Sequence, residues 1–162
     1  MVPRFQARGG HMKDFSTILF ATDFSEVSEY AFDYAYTLAK KLNSKLIIMH
    51  VINEPVDLRG FYVPHISFES LEKEIEESAD KMMRKFCSGR LADLAGTETV
   101  IVSGIPYDEI LTKAAEEKVS LIVLGTHGRA GLDHFLFGST AERVVRRSRC
   151  PVMTIRPPLS EE

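Results

Sequence analysis

A glycine-punctuated stretch near the end of the chain has the clearest chemical potential. It reads GTHGRAGLDHFLFGST, in which two residues separate Gly125 from Gly128 and nine more precede the pair Gly138-Ser139. Glycines let a backbone approach a ligand closely, and the free amides at the start of a helix attract an anion. With Ser139 opening a helix, the stretch predicts a site for a chain of phosphates. The alternative is that the glycines only shape a long turn and Ser139 only caps the helix.

Other phosphate-binding patterns are absent from the sequence. There is no G-x-x-x-x-G-K-[ST], which excludes a P-loop. The first apolar run is followed by Thr22-Asp23-Phe24-Ser25 rather than by a glycine triplet, so no hydride-transfer dinucleotide cofactor is indicated.

Three further polar residues merit attention. Asp23 follows a buried apolar run, where a carboxylate can accept hydrogen bonds from a sugar hydroxyl or an amino group. It could equally cap the following helix, and the two roles can coexist. His50 lies inside an apolar run and is expected to be a hydrogen-bonded core histidine. His127 lies in the glycine stretch without a recognisable nucleophile partner, which argues against a catalytic base.

Alternating strands and helices must position these residues. Short apolar runs predict strands at 17–21, 45–52, 99–102, 121–124 and 151–155. The first two suit strands buried on both faces, and Pro151 suits a strand end or an edge. Apolar residues at three- and four-residue steps predict helices at 25–42, 67–90, from Pro106 onward, and at 139–147. Residues 53–66 are expected to form a loop.

The apolar stripes predict which helix faces pack on the sheet. The first comprises Val27, Ala31, Tyr34, Ala35, Leu38 and Leu42, and the second comprises Leu71, Ile75, Ala79, Met82 and Phe86. The last helix should turn Val144 and Val145 inward. Alternating strands and helices predict a doubly wound α/β fold, in which ligands bind beyond the carboxyl ends of the strands. The loops that begin at Thr22, Val51, Gly104 and Gly125 are therefore the places to expect a ligand.

The composition is that of an ordinary globular domain. The 162 residues are 44% hydrophobic and 27% charged, with a formal charge of −3, which predicts one domain, no membrane span and no basic field for nucleic acid. Cys87 and Cys150 are too few for a disulfide framework and suggest a reducing cytoplasm. The arginines at the end of the last helix are expected to be solvated, namely Arg143, Arg146, Arg147 and Arg149. Residues 1–11 are interpreted as an expression scar or a disordered arm, leaving 12–162 as the domain.

Four motifs in order resemble one protein family. The spacing G-x2-G-x9-G-[ST], with ATDFS after the first strand, HV after the second and GIP after the third, resembles the ATP-binding branch of the universal stress protein family. The likeness spans residues 13–156. It implies a Rossmann-like α/β/α sandwich around an open five-stranded parallel sheet of order 3-2-1-4-5.

The resemblance also implies a ligand and partners. It implies a nucleotide-dependent switch or sensor that binds ATP with Mg or Mn and forms a homodimer through residues 152–155. Asp23 would lie against the ribose and base, with Ala21 and Thr22 beside it, and the backbone of Val51 would pair with the adenine edge. The remaining residues implied are Leu124 and Gly125 along the ribose, Gly128, Gly138, Ser139 and Thr140 at the phosphates, and Arg129, which either reaches the phosphates or is solvated.

Three alternatives stay open at the level of sequence. Asp133 in the glycine stretch could repel a γ-phosphate, so ADP or AMP could replace ATP. The protein could be a slow ATPase or a nucleotidyl transferase of the related superfamily, although the sequence lacks the HxGH pair that such transferases use. It could also be a nucleotide-free interaction module.

Overall fold

The computed structural model describes residues 14–53, 68–91, 93–94, 96–126 and 137–158, where strands and helices alternate. The expected scar at 1–11 and most of the expected loop at 53–66 lie outside these ranges. The elements are β1 (Thr17–Ala21), α1 (Glu26–Leu42), β2 (Lys45–Asn53), α2 (Phe68–Cys87), β3 (Thr97–Gly104), α3 (Pro106–Glu116), β4 (Leu121–Gly125), α4 (Ser139–Arg147) and β5 (Val152–Ile155).

The strands form one parallel sheet in the order β3-β2-β1-β4-β5, which confirms the expected topology. Successive strand residues face opposite sides, so Ile18 and Phe20 pack under α1 and α2, whereas Leu19 and Ala21 pack under α3 and α4. From β1, the next two strands along the chain, β2 and β3, are added on one side of β1, and then β4 and β5 are added on its other side. The strand order therefore reverses between β1 and β4, where an open parallel sheet offers a ligand crevice.

The inner face of α1 differs from the expected stripe. The residues that pack on the sheet are Ser28, Ala31, Phe32, Ala35 and Ala39. Tyr34 and Leu42, which the stripe placed inside, are 44% and 47% exposed. Small residues bring the helix close to the sheet around the buried Phe32 ring, and Tyr34 and Leu42 then lie at the flanks of the contact. The prediction for α4 was wrong in the same way, because Val144 is buried but Val145 is 47% exposed.

Several element ends also differ from the sequence predictions. β3 extends from Thr97 to Gly104 because it pairs with β2 along that whole length. α2 ends at Cys87 rather than at residue 90. A turn follows Cys87, and in it Gly89 has a φ of 73°. α1 ends as expected at Asn43, whose left-handed conformation (φ 52°) closes the helix. In the part of the chain that the model describes, no helix combines the length and apolar character needed to cross a membrane.

An ion-pair network ties β2, β3 and α3 together at the amino edge of the sheet. Lys45 Nζ lies 2.6 Å from Glu98 Oε2 and 3.2 Å from Glu117 Oε2, and Lys113 Nζ lies 2.9 Å from Glu117 Oε1. The hydrogen bond from Lys45 holds the pKa of Glu98 below its ordinary value. The side chains of the network are partly exposed, so solvent screening keeps its contribution to the free energy of unfolding small.

This network predicts a pH-dependent part of the stability. Because the pKa of Glu98 is lower in the folded state, its contribution is present above the unfolded pKa of about 4.3 and disappears as the pH falls through the folded value. Denaturant unfolding between pH 6 and pH 3 should show a shallower loss of stability in Glu98→Gln than in the wild type. Lys45→Met should make the dependence of the unfolding free energy on pH similarly shallow. If both variants kept the wild-type pH dependence, the pairing of Lys45 with Glu98 would not account for it.

Candidate functional site

A pocket of about 750 Å³ lies at the carboxyl edge of the sheet, over the point where the strand order reverses. The ends of β1, β2 and β4 form its floor, the start of α4 closes one side, and α2 covers another. Gly128 and Arg129 lie outside the described residues. The other nine residues singled out in the sequence all line the pocket, namely Ala21, Thr22, Asp23, Val51, Leu124, Gly125, Gly138, Ser139 and Thr140.

Asp23 lines the pocket and also supports the cap of α1. Its Oδ1 accepts hydrogen bonds from the backbone N–H of Ser25 at 3.1 Å and from the Ser25 hydroxyl at 2.6 Å. The cap itself is Ser25, whose Oγ accepts the N–H of Ser28 at 3.2 Å. Ser25 rather than Asp23 is therefore the N-cap of α1, and Asp23 supports that cap while lining the pocket.

The end of β2 presents backbone groups to the pocket. The ladder between β1 and β2 ends at Ala21 and Met49, and the Thr22 N–H donates to the Met49 carbonyl at 2.9 Å. In a parallel strand the N–H and C=O of one residue point to the same side, and alternate residues point the same way. Val51, two residues beyond Met49, therefore directs its N–H and C=O toward the side of β1, past the end of that ladder. A planar base with donor and acceptor atoms on one edge could pair there.

His50 is hydrogen-bonded as expected, but it is half-buried in the pocket wall rather than in the core. Its Nδ1 lies 2.8 Å from the Thr22 carbonyl oxygen. Since a carbonyl only accepts, Nδ1 carries the proton in this bond. The imidazole also packs on the ring of Phe24, with 4.3 Å between centroids. His127 lies outside the described residues.

The start of α4 is open to an external acceptor. Its N-cap is Gly138, which has no side chain to accept a helix amide, whereas α1 is capped by a serine hydroxyl. The first intrahelical bond runs from the Glu142 N–H to the Gly138 carbonyl at 3.0 Å, so the amides of the first turn precede it. The Gly138 N–H is held by the Thr126 carbonyl at 2.7 Å. The first turn of α4 thus lies at the pocket, where its amides have no acceptor within the helix and the positive end of the helix dipole favours an anion.

Comparison with known proteins identifies the family. The model of the universal stress protein family matches residues 14–156. The chain belongs to this family. Among relatives, universal stress protein YxiE of Bacillus subtilis is 35% identical over 147 residues, covering 88% of this chain and 99% of that protein. The solved structure of MJ0577 from Methanocaldococcus jannaschii superposes with a TM-score of 0.77 at 32% identity, covering 91% of this chain and 99% of that one.

Another solved family member was determined with a bound ligand. It is a universal stress protein in complex with cAMP, which matches with a TM-score of 0.57 at 26% identity and covers 90% of this chain and 99% of that one.

The α2 wall of the pocket was missed in the sequence. Leu71 and Ile75, assigned there to the face packed on the sheet, are 38% and 43% exposed and line the pocket together with Met82. The sheet lies under the second half of α2, where Ala79 and Phe86 are buried. The apolar stripe continues for two turns toward the amino end, so it overhangs the strand ends. The sequence did contain a signal for this overhang, because the apolar stripe of α2 is longer than a short buried strand can cover.

Polar residues of the wall were also missed. Glu74 and Ser78 come from α2, Asn53 ends β2, and Thr126 follows β4. The described part of the lining contains two carboxylates, on Asp23 and Glu74, and no lysine or arginine. Within the described lining, the groups suited to a polyanion are therefore the backbone amides at the start of α4, together with any metal ion that the ligand brings.

The described residues contain no cluster of three or more His, Cys, Asp or Glu side chains that could hold a metal ion. The lining nevertheless offers single carboxylates and the hydroxyls of Ser139 and Thr140. Mg²⁺ commonly keeps water ligands and binds through one or two protein oxygens plus substrate phosphates. Such a donor set fits an ion that enters with a nucleotide better than a resident metal centre.

The arginines of α4 have partners outside the pocket. The guanidinium groups of Arg143 and Arg147 lie 4.8 Å and 5.0 Å from the ring centroid of Tyr107 on α3. Arg146 pairs with Glu142 at 3.0 Å. The contacts of Arg143 and Arg147 with Tyr107 fasten α4 to α3, which helps to fix where the first turn of α4 meets the pocket.

Proposed function

We propose that this universal stress protein binds an adenine nucleotide, ATP, in the pocket and acts as a nucleotide-dependent switch or sensor. One observation carries the proposal: nine residues singled out from separate parts of the sequence converge on a single pocket of about 750 Å³ at the reversal of strand order. The family member solved with cAMP supports an adenine nucleotide as the ligand.

Each part of the nucleotide has a suitable part of the pocket. The adenine edge would pair with the backbone of Val51, and the apolar wall of α2 would cover the base. Asp23 would accept from the ribose, with Leu124 and Gly125 alongside. The phosphates would accept hydrogen bonds from the amides at the start of α4, with Gly128 and Arg129 as further proposed contacts. Mg²⁺ or Mn²⁺ would be held mainly by phosphate oxygens and would offset the charge of Asp23 and Glu74.

Further aspects of the proposal concern the assembly and its location. We propose that residues 12–162 form one domain and that two copies pair through β5. β5 is an edge strand whose four residues are all only half-buried, and unpaired edge strands favour association. The free thiols of Cys87 and Cys150 are consistent with a reducing cytoplasm.

Calorimetric titration tests the proposal and its alternatives. With Mg²⁺ present, ATP, ADP, AMP and cAMP should each give a saturable isotherm, and the rank of the four would define the preferred phosphate state. Asp23→Asn, which keeps the size of the side chain, should weaken all four about tenfold because it replaces a charge-assisted hydrogen bond to the ribose with a neutral one. Mass spectrometry of nucleotide that copurifies with the protein gives an independent measurement.

The outcomes separate the alternatives. Absence of binding by all four nucleotides would leave a nucleotide-free interaction module. Steady release of phosphate or pyrophosphate from ATP, above the level of a Gly138→Val, Ser139→Ala control, would indicate an ATPase or a transferase. Binding with no turnover is the result expected for a switch.

A further inference from the structure

Phe24 has a backbone conformation that aromatic residues rarely adopt. Its φ is 62°, in the left-handed region, where residues with a Cβ atom are disfavoured and glycine or asparagine is usual. Such a conformation persists only where the surrounding structure holds it, and it tends to occur at functional sites. Phe24 lies directly after Asp23, the proposed ribose ligand.

Packing holds Phe24 in this conformation. Its ring centroid lies 4.3 Å from that of His50 and 5.8 Å from that of Phe86, and the side chain packs against the core under α1 and α2. Its N–H donates to the Thr22 hydroxyl at 3.0 Å. Asp23, by contrast, lines the pocket. The left-handed turn therefore sends two adjacent side chains to different places: the half-buried Phe24 ring packs against the edge of the core, and Asp23 lines the pocket.

The orientation of Asp23 depends on this turn. The hydrogen bonds from the Ser25 N–H and hydroxyl to Asp23 Oδ1 span residue 24. If residue 24 left the left-handed region, Ser25 would move relative to Asp23 and these two bonds would not both survive. Ser25 also caps α1, so the helix and the carboxylate are held by the same turn.

We propose that Phe24 is a positioning residue for nucleotide recognition: its anchored ring fixes the left-handed turn that presents the Asp23 carboxylate to the ribose. The inference rests on the proposed nucleotide site and assigns a function to a side chain that does not line the pocket. If Phe24 has this role, the affinity for nucleotide depends on the packing of its ring against His50 and Phe86.

A double-mutant cycle between positions 23 and 24 tests the inference. Phe24→Gly permits the positive φ but lacks the ring, so the turn becomes one of several accessible conformations. ATP titrations with Mg²⁺ should show about tenfold weaker binding for Phe24→Gly than for the wild type. In an Asp23→Asn background the same change should alter affinity by less than about twofold, because the group that it positions is already impaired.

Three further variants separate positioning from general damage. Phe24→Tyr keeps the ring and should bind ATP within about twofold of the wild type. Phe24→Leu fills part of the core yet lacks the ring, and it should lose affinity as Phe24→Gly does, which covers the case in which the glycine variant is poorly folded. Phe32→Leu removes another ring that contacts Phe86, 5.2 Å away, without touching the turn. It should lower the melting temperature and leave ATP affinity unchanged.

The possible results are distinguishable. An equal loss in the wild-type and Asp23→Asn backgrounds would show that Phe24 acts independently of Asp23 and would overturn the inference. Unchanged ATP affinity in both Phe24→Gly and Phe24→Leu would overturn it as well. If the wild-type protein bound no ATP, the proposed function would fail, and this inference with it.

Discussion

Gly138→Asp is expected to stabilise the free protein and to abolish tight ATP binding. The φ and ψ of Gly138 are −72° and 161°, an extended conformation that aspartate adopts without strain. Aspartate is among the preferred N-cap residues, since its carboxylate accepts amides of the first turn and interacts favourably with the helix dipole. Relative to glycine the gain should be about 0.5 kcal/mol. Thermal unfolding without nucleotide would measure it.

The same carboxylate should exclude the nucleotide. It would occupy the amides that the phosphates are proposed to use, and it would bring a negative charge to a pocket whose described lining already holds Asp23 and Glu74. Two like charges about 4 Å apart repel by about 4 kcal/mol at an effective dielectric constant of 20. Even after screening by Mg²⁺ and salt, ATP affinity should fall at least about a hundredfold, which calorimetry would show.

A matched control isolates the charge. Gly138→Asn has nearly the same size and also caps helices well, but it is neutral. It should stabilise the free protein similarly and weaken ATP binding much less than the aspartate variant does. Equal ATP affinities for the two variants would mean that the phosphates bind elsewhere.

Phe20→Ala should destabilise the fold more than any other change considered. Phe20 is fully buried in the central strand β1, where it pairs in register with Ile48 on one side and Val123 on the other. Its ring contacts Phe32 at 5.4 Å and Phe86 at 6.1 Å. Truncation removes the aromatic contacts and leaves a cavity that close neighbours cannot fill. The expected cost is about 3 to 5 kcal/mol of unfolding free energy.

Denaturant unfolding, followed by circular dichroism, would measure this loss. Leu42→Ala is the matched control, because the sequence stripe placed Leu42 in the core whereas the structure leaves it 47% exposed. It should change the unfolding free energy by less than about 0.5 kcal/mol. A loss in Leu42→Ala comparable to that in Phe20→Ala would contradict the observed packing of α1.

The features that could be predicted from the sequence depend on residues that are close together along the chain. Continuous apolar runs mark the strands of a parallel sheet because helices cover both faces, and this pattern located all five. Asp23, just after β1, and Gly138, just before α4, followed from the positions of strand ends and helix starts, whereas Ala21, Leu124 and Thr140 were implied by the resemblance to the family. The binding roles of these residues stay predictions.

The features that could not be predicted depend on how elements meet in space. Periodicity places a stripe on a helix but does not say which side of the stripe packs closest. On α1 the side of the stripe that carries the alanines packs closest to the sheet, and the larger Tyr34 and Leu42 remain exposed. The overhang of α2 depends on where the sheet ends beneath it. The left-handed turn at Phe24 depends on packing against His50 and Phe86, which are distant in sequence.

The central claim is that one pocket holds an adenine nucleotide, with its phosphates at the start of α4 and its base at the end of β2. The most direct test is an NMR titration of ¹⁵N-labelled protein with ATP and Mg²⁺. We expect the amide signals of Ser139, Thr140 and Val51 to shift most. Their chemical shift changes should all reach saturation at the same ATP concentration. ATP binding that left these three amides unperturbed would contradict this claim.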